Sequence, residues 1–267
     1  MKKTIFLSAI AGVLFWGYIR FFLKLYEIFE IEKYLNKDIF STGVKIIGIC
    51  FLLLCFKKIK ILMNFHPKYF VYLFPILLID YFCFTDIVNF FSGDKNDFKS
   101  HDIKIITYFI NAIVEEVLFR GIVLSLFIKH FVDSNKKHFI LYSSFASSLL
   151  FGLFHTMNFF TNEFEMSGKA IVYQVYAAFS IGFLLSIIYL KTRNLLYIIL
   201  SHFIYNFYIY LQNIDKHTEV QSSQKSATII SILISLIYFG LPLFVSMIYF
   251  YFFVNNDENL KKILRQV

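Results

Sequence analysis

The feature that most constrains this chain is a series of long apolar windows separated by short charged or turn-forming segments. Inside a bilayer every backbone N–H and C=O must be paired within the protein, so windows of about 20 apolar residues predict transmembrane helices. A hydrophobic fraction of 58% exceeds what a water-soluble domain requires. The windows predict about eight spans, near residues 4–26, 39–56, 69–91, 103–128, 139–160, 170–190, 195–213 and 227–254.

The predicted fold class is therefore all-α, a polytopic transmembrane helix bundle that forms one membrane-embedded domain over residues 1–267. Met1–Tyr18 imitates a signal peptide but lacks a small-residue cleavage site, which favours an uncleaved first span. Lys and Arg are more numerous in the connections on the side of the N-terminus, so both termini are predicted to be cytoplasmic. The net charge of +8 fits basic side chains near anionic lipid rather than a nucleic-acid site. A composition rich in Lys, Asn, Ile, Phe and Tyr favours a bacterial cell membrane.

Three charged residues interrupt the fourth window, in the stretch Asn111–Gly121 with sequence NAIVEEVLFRG. Ionised groups are expensive within a membrane and mark functional sites. Glu116 and Arg120 are four residues apart, so they share a helix face and can form an ion pair that holds the helix in place. Glu115 lies about 100° away from them, and a free carboxylate there suits general-base chemistry. The alternative is a charged helix–helix contact that involves all three side chains.

Two histidines lie well inside apolar windows, whereas the other histidines fall in predicted connections or at span ends. His155 follows Phe151 by four residues, and His202 precedes Asn206 by four, so each pair shares a helix face. An interhelical hydrogen bond would explain either histidine alone. Both histidines together with Glu115 favour a shared site.

Two further polar residues have open interpretations. Asp80, near the middle of the third window, is expected to bond a neighbouring helix, and the alternative is that it orients a catalytic group. Asn158, three residues after His155, either faces the same cavity or forms a polar helix end.

These motifs resemble those of a known family. The segments EEVLFRG, FGLFH and HFIYN begin at Glu115, Phe151 and His202, each within its own apolar window. In this order they resemble the CAAX protease and bacteriocin-processing (CPBP, or ABI) family of intramembrane endopeptidases. The resemblance extends over about Ile103–Tyr208, and the catalytic core is predicted to span residues 103–213.

The resemblance implies a reaction and a role for each motif residue. Glu115 would activate the attacking water with help from His155, while His202 and Asn206 would hold the oxyanion. Peptide hydrolysis requires such a base and such donors, which agrees with these residue types. The implied partners are the lipid bilayer and a peptide or protein substrate.

The family has been described both as glutamate proteases and as metalloproteases. Glu115, His155 and His202 make up a possible zinc ligand set, but the HExxH spacing is missing, so we favour a reaction without a metal cofactor. The substrate classes are a bacteriocin or secreted peptide that is matured, a bacteriocin against which the cell protects itself, or a prenylated CAAX protein. The non-enzymatic alternatives are an immunity protein that acts by binding and a proton-coupled transporter that uses Glu115 and the histidines.

Overall fold

The computed structural model describes residues 2–31, 35–55, 98–160, 168–219 and 242–265, with Gly240 and a few residues between 72 and 88. The α-helices are α1 (Lys2–Ile28), α2 (Lys37–Cys55), α3 (Phe98–Glu116), α4 (Leu124–Asp133), α5 (Phe139–Phe154), α6 (Gly168–Thr192), α7 (Leu195–Glu219) and α8 (Glu258–Leu264). Residues 242–249 are also helical. Two π-helical turns, Val117–Val123 and Phe250–Val254, and the 3₁₀ turn His155–Phe160 complete the regular structure. The described ranges contain no β-strand, which confirms the all-α class for them.

Membrane-spanning character is clearest in the centre of the chain. Among the described residues, Phe139–Met157 and Ile171–Thr192 are long and apolar enough to cross a bilayer, and Leu195–Leu211 and Pro242–Val254 are shorter apolar helices. The predicted span at residues 69–91 lies largely outside the described residues. The number of spans therefore stays a prediction.

Helices α5 and α6 pack most closely along a seam of small residues. A Cβ on Gly152 of α5 would lie 2.8 Å from the carbonyl oxygen of Val175 in α6, so only glycine permits this approach. Ser148 and Ser186 hydrogen-bond across the seam at 3.2 Å. Small residues replace bulky ones because helices in lipid associate through close van der Waals packing.

The fourth apolar window does not continue as a regular α-helix. After Glu116 the backbone widens into the π-turn Val117–Val123, in which the Leu124 N–H donates to the Phe119 carbonyl five residues earlier. The Phe119 carbonyl also accepts a hydrogen bond from Ser147 Oγ of α5 at 2.9 Å. All seven residues of the turn are buried. Such turns are frequent at functional sites because they change the direction in which neighbouring side chains project.

A tight connection sets the register of α7. Arg193 adopts a left-handed backbone conformation with φ of 52°, and Asn194 then caps α7 by accepting a hydrogen bond from the Leu196 N–H at 2.9 Å. The chain therefore reverses within Arg193 and Asn194, and α7 begins beside α6. His202 lies two turns into α7.

The C-terminal helix is attached to the end of α6 by an ion pair. Lys191 Nζ lies 2.5 Å from Asp257 Oδ2 and 4.5 Å from the centre of the Tyr72 ring. Asp257 also caps α8, since its Oδ1 accepts the Leu260 N–H at 2.9 Å. Partial burial raises the pKa of Asp257, but the hydrogen bonds from Lys191 and Leu260 outweigh that effect and leave its pKa below the ordinary value.

Asp257→Asn is expected to lower the free energy of unfolding by about 1 to 2 kcal/mol at pH 7, because it removes a charged hydrogen bond and weakens a helix cap. The pKa of Asp257 is lower in the folded state than its ordinary value of 3.8. Wild type is therefore more stable than the variant above that pH, and this difference in the free energy of unfolding disappears as the pH falls below it. Thermal unfolding in detergent at pH 7 and at pH 3 measures both quantities. An equal difference between the two proteins at both pH values would contradict the assignment.

Candidate active site

The two adjacent glutamates lie in different environments where α3 meets the π-turn. The Glu116 side chain is fully buried, whereas 32% of the Glu115 side chain is exposed. Glu115 Oε2 nevertheless lies below the surface and has no hydrogen-bond partner among the described residues. The structure thus separates one fully enclosed glutamate side chain from one that is partly exposed.

Glu116 is held from two directions. Its Oε1 accepts a hydrogen bond from Arg120 Nη1 at 2.9 Å, which is the ion pair predicted from their spacing. The same oxygen lies 2.6 Å from His202 Nδ1 of α7. Arg120 is also fully buried, so this contact neutralises two charges that would each be costly alone. Glu116 therefore fixes α3 to α7 at the level of His202.

The contact with Glu116 determines the tautomer of His202. An ionised carboxylate only accepts hydrogen bonds, so Nδ1 carries the proton and donates it. The other ring nitrogen, Nε2, lies 3.6 Å from Glu115 Oε2. His202 therefore links the two glutamates, and its Nε2 carries a second proton only when the ring is an imidazolium.

His155 is oriented by its own helix. Its Nδ1 lies 2.9 Å from the Phe151 carbonyl oxygen, which only accepts, so Nδ1–H donates and Nε2 of the neutral ring remains basic. His155 interacts electrostatically with Glu115, His202 and Arg120. The three motifs are therefore close enough to act as one site.

One aromatic ring packs between these charged and polar groups. The Arg120 guanidinium carbon lies 4.5 Å from the centre of the Phe151 ring, a cation–π contact. The His155 and His202 rings approach Phe151 edge-on, with centroid distances of 4.9 Å and 5.8 Å. Phe151 thus supports Arg120 and limits the movement of both imidazoles.

Gly182 of α6 makes room for the arginine. A Cβ at this position would lie 2.9 Å from Arg120 Nη2 and 2.9 Å from Phe151 Cδ1, closer than real Cβ contacts allow. Neither neighbour can withdraw easily, because both are buried within the site. Gly182 was not identified from the sequence, although a glycine within an apolar window is a signal of close helix approach.

Gly182→Ala is expected to lower the free energy of unfolding by about 1 to 3 kcal/mol relative to Gly43→Ala, since it overpacks the Arg120 contact. Gly43 is the matched control, a helical glycine in α2 where an added Cβ would have nothing within 4 Å. Thermal unfolding of the two variants beside wild type measures the difference. Equal effects of both substitutions would show that Arg120 adjusts freely.

The structure places the other predicted residues as follows. Asn206 lies one turn after His202 on α7, is half-buried, and has no hydrogen bond within the described ranges. Asp80 accepts a hydrogen bond from Ser201 Oγ at 2.6 Å, which is the predicted bond to a neighbouring helix. Asn158 belongs to the 3₁₀ turn after α5, and its side chain lies outside the described residues.

The alternative zinc ligand set consists of Glu115, His155 and His202. Among the residues that the structure describes, no three His, Cys, Asp or Glu side chains are placed so as to hold a metal ion. Nδ1 of His202 is bonded to Glu116, and Nδ1 of His155 to the Phe151 carbonyl, so Nε2 is the nitrogen of each ring that could bind a metal. A reaction without a metal cofactor therefore stays a prediction.

The polar residues of the site lie within one segment that matches a protein-family model. Residues 103–208 match the family model described as Rce1-like, Type II CAAX prenyl endopeptidase. The recognition of the CPBP family from the three motifs is thereby confirmed over these residues. The Rce1-like segment contains Glu115, His155, His202 and Asn206, while residues 1–102 and 209–267 lie outside the match. No curated protein and no solved structure gave a significant match to the chain.

Proposed function

We propose that this protein is an intramembrane endopeptidase in which Glu115 acts as the general base. The observation that carries this proposal is the contrast between the two glutamates. Glu116 is fully buried, and its Oε1 is bonded to both Arg120 and His202. The Glu115 side chain is 32% exposed, and its only charged contact among the described residues is His202 Nε2 at 3.6 Å. The Rce1-like match supports endopeptidase chemistry, because it covers the segment that carries this contrast.

The reaction begins with a water molecule bound between Glu115 and the basic Nε2 of His155. Glu115 takes a proton from this water while the water oxygen bonds to the peptide carbonyl carbon. This step produces a tetrahedral oxyanion. When the intermediate collapses, the C–N bond breaks and Glu115 passes the proton to the leaving nitrogen. The products are a new carboxyl group and a new amine.

The oxyanion is stabilised by His202 and Asn206. His202 Nδ1–H is committed to Glu116, so a hydrogen bond from His202 to the oxyanion would come from Nε2–H of the imidazolium form. Asn206 adds an amide NH₂ donor one turn further along α7. Losing one oxyanion donor typically costs about 3 to 4 kcal/mol in the transition state.

The substrate is a membrane-associated peptide or protein that reaches the site inside a multi-pass bundle with both termini in the cytoplasm. Its cleaved segment must be extended, since a peptide bond within a helix is not accessible to water. The substrate classes are a bacteriocin or secreted precursor, a bacteriocin that is destroyed for self-protection, and a CAAX-type C-terminus.

The test uses the purified full chain in liposomes with two peptide sets, one farnesylated with a C-terminal CAAX sequence and one non-lipidated and apolar. The reaction is run in ¹⁸O-labelled water and followed by mass spectrometry. We expect one ¹⁸O atom in the new carboxyl group, activity that persists with a chelator, and cleavage by Glu115→Gln that is lower by at least about a hundredfold. Absence of cleavage in both sets, or equal cleavage by the variant, contradicts the proposal, and inactivation by the chelator contradicts its metal-free mechanism.

A further inference from the structure

Lys45 brings a positive charge to the contact between α2 and α3, and the proposed mechanism does not use it. The residue is half-buried in α2, and its Nζ donates a hydrogen bond to Asn111 Oδ1 of α3 at 2.8 Å. A hydrogen bond to a neutral amide does not cancel the charge of an ammonium group. Because a charged side chain inside an apolar helix is costly, its presence there indicates a function.

Thr42 lies beside Lys45 and carries a hydroxyl group without a partner. The two residues are three apart on α2, so their side chains share one face of the helix. Only 9% of Thr42 is exposed, and its Oγ1 has no hydrogen-bond partner among the described residues. A buried hydroxyl in this state costs free energy. An acceptor atom of a ligand at this position would remove that cost.

The polar groups at this contact are hydrogen-bond donors. Since an ammonium group only donates, Asn111 turns its Oδ1 toward Lys45, and its NH₂ group is left to donate elsewhere. An ammonium group has three N–H donors, so Lys45 can hold Asn111 and a ligand oxygen at the same time. A hydroxyl, an ammonium and an amide NH₂ suit a ligand that is negatively charged and accepts several hydrogen bonds. A carboxylate meets both requirements.

These donors lie one helical turn from the proposed general base. Asn111 and Glu115 are four residues apart on α3, so they share a helix face and are separated by about 6 Å along the helix axis. An extended peptide advances about 3.4 Å per residue and therefore covers this distance with about two residues. A substrate with its scissile bond at Glu115 can thus place a carboxylate at Lys45.

We propose that Lys45, Thr42 and Asn111 bind a carboxylate of the substrate, about two residues from the scissile bond. This inference rests on the proposed endopeptidase function. Lys45 supplies the opposite charge, and the other two residues supply neutral donors. The carboxylate is either the free C-terminus of the peptide or the side chain of an aspartate or glutamate. Peptides without a carboxylate at this position bind less tightly.

The binding test uses the full chain with Glu115→Gln in liposomes, so that no cleavage is required. A fluorescent apolar peptide with a free C-terminal carboxylate is titrated beside the same peptide as a C-terminal amide, and protein-free liposomes correct for partition into lipid. We expect the acid to bind about tenfold to a hundredfold more tightly, as a charged hydrogen bond allows. A third peptide, amidated and ending in glutamate, distinguishes a side-chain carboxylate from a C-terminal one.

Substitutions on α2 locate the preference. Thr42→Val keeps the shape and removes an unsatisfied hydroxyl, so it should be at least as stable as wild type and lose part of the preference. Lys45→Met should abolish the preference, and Lys45→Arg should keep part of it. Lys104→Met is the matched control, because Lys104 also joins α3 to α2 through Asp38 at 2.6 Å but lies about three turns before Glu115. This control should keep the full preference.

The outcomes separate this inference from the catalytic one. Equal affinity for all three peptides overturns the carboxylate site. A preference that persists unchanged in both Thr42→Val and Lys45→Met also overturns it, because the carboxylate would then bind elsewhere. Selective binding that depends on Lys45, without cleavage by wild type, supports the carboxylate site and overturns the proposed reaction alone.

Discussion

Replacing Glu115 by Gln is expected to lower kcat/KM for peptide cleavage by about a hundredfold to ten-thousandfold, the range for loss of a general base. Glutamine has nearly the same shape but cannot take a proton from water. Because the Glu115 side chain is partly exposed and has no strong ion pair among the described residues, the free energy of unfolding should change by less than about 0.5 kcal/mol. Peptide cleavage and thermal unfolding are measured on the same preparations.

The neighbouring substitution Glu116→Gln provides the contrast. Glu116 holds Arg120 and His202 in a fully buried contact, so its loss leaves the guanidinium without a counterion and should destabilise the protein by about 3 to 5 kcal/mol. Glu115→Gln is thus expected to lower peptide cleavage, whereas Glu116→Gln is expected to lower the free energy of unfolding. Near-wild-type cleavage by Glu115→Gln would assign the base to another residue.

Arg120→Met is expected to give a comparably large loss of stability, about 3 to 5 kcal/mol, since it leaves the Glu116 carboxylate buried without its ion pair. Methionine fills much of the aliphatic volume of arginine, so the variant has no large cavity. The loss of stability therefore measures the missing charge and the missing contact with Phe151. Arg120→Lys keeps the charge but not the planar group that packs on the ring, and should lie between wild type and Arg120→Met. Thermal unfolding in detergent gives the order of stability.

The double variant Glu116→Gln/Arg120→Met tests whether these effects come from one ion pair. Removing both charges leaves no uncompensated ion, so the double variant should be more stable than the sum of the single losses implies. The coupling is expected to be on the order of 1 to 3 kcal/mol. Strict additivity would mean that the two side chains stabilise the protein separately.

Local spacing predicted part of the site. The ion pair between Glu116 and Arg120 follows from their separation of four residues, and the position of His155 beside Phe151 follows in the same way. Membrane character and the all-α class followed from apolar windows. These features depend on neighbours along the chain, which the sequence displays directly.

The tertiary contacts of the site could not be predicted from spacing along the chain. The bond between Glu116 and His202 joins residues 86 positions apart, and no spacing rule indicates which glutamate His202 contacts. The space for Arg120 depends on a missing side chain at Gly182 in another helix. The C-terminal helix α8 was not predicted, although Leu260 and Leu264, which are four residues apart and both buried, were a usable signal.

The π-turn Val117–Val123 makes the site sensitive to the number of residues between the two glutamates and Arg120. A π-turn holds an extra residue relative to an α-helical turn, so deleting one residue would let this segment return to a regular α-helix. Loss of Val117 alone would place Glu115, instead of Glu116, four residues before the arginine. The number of residues in this turn decides which of two identical side chains is immobilised and which remains free to react.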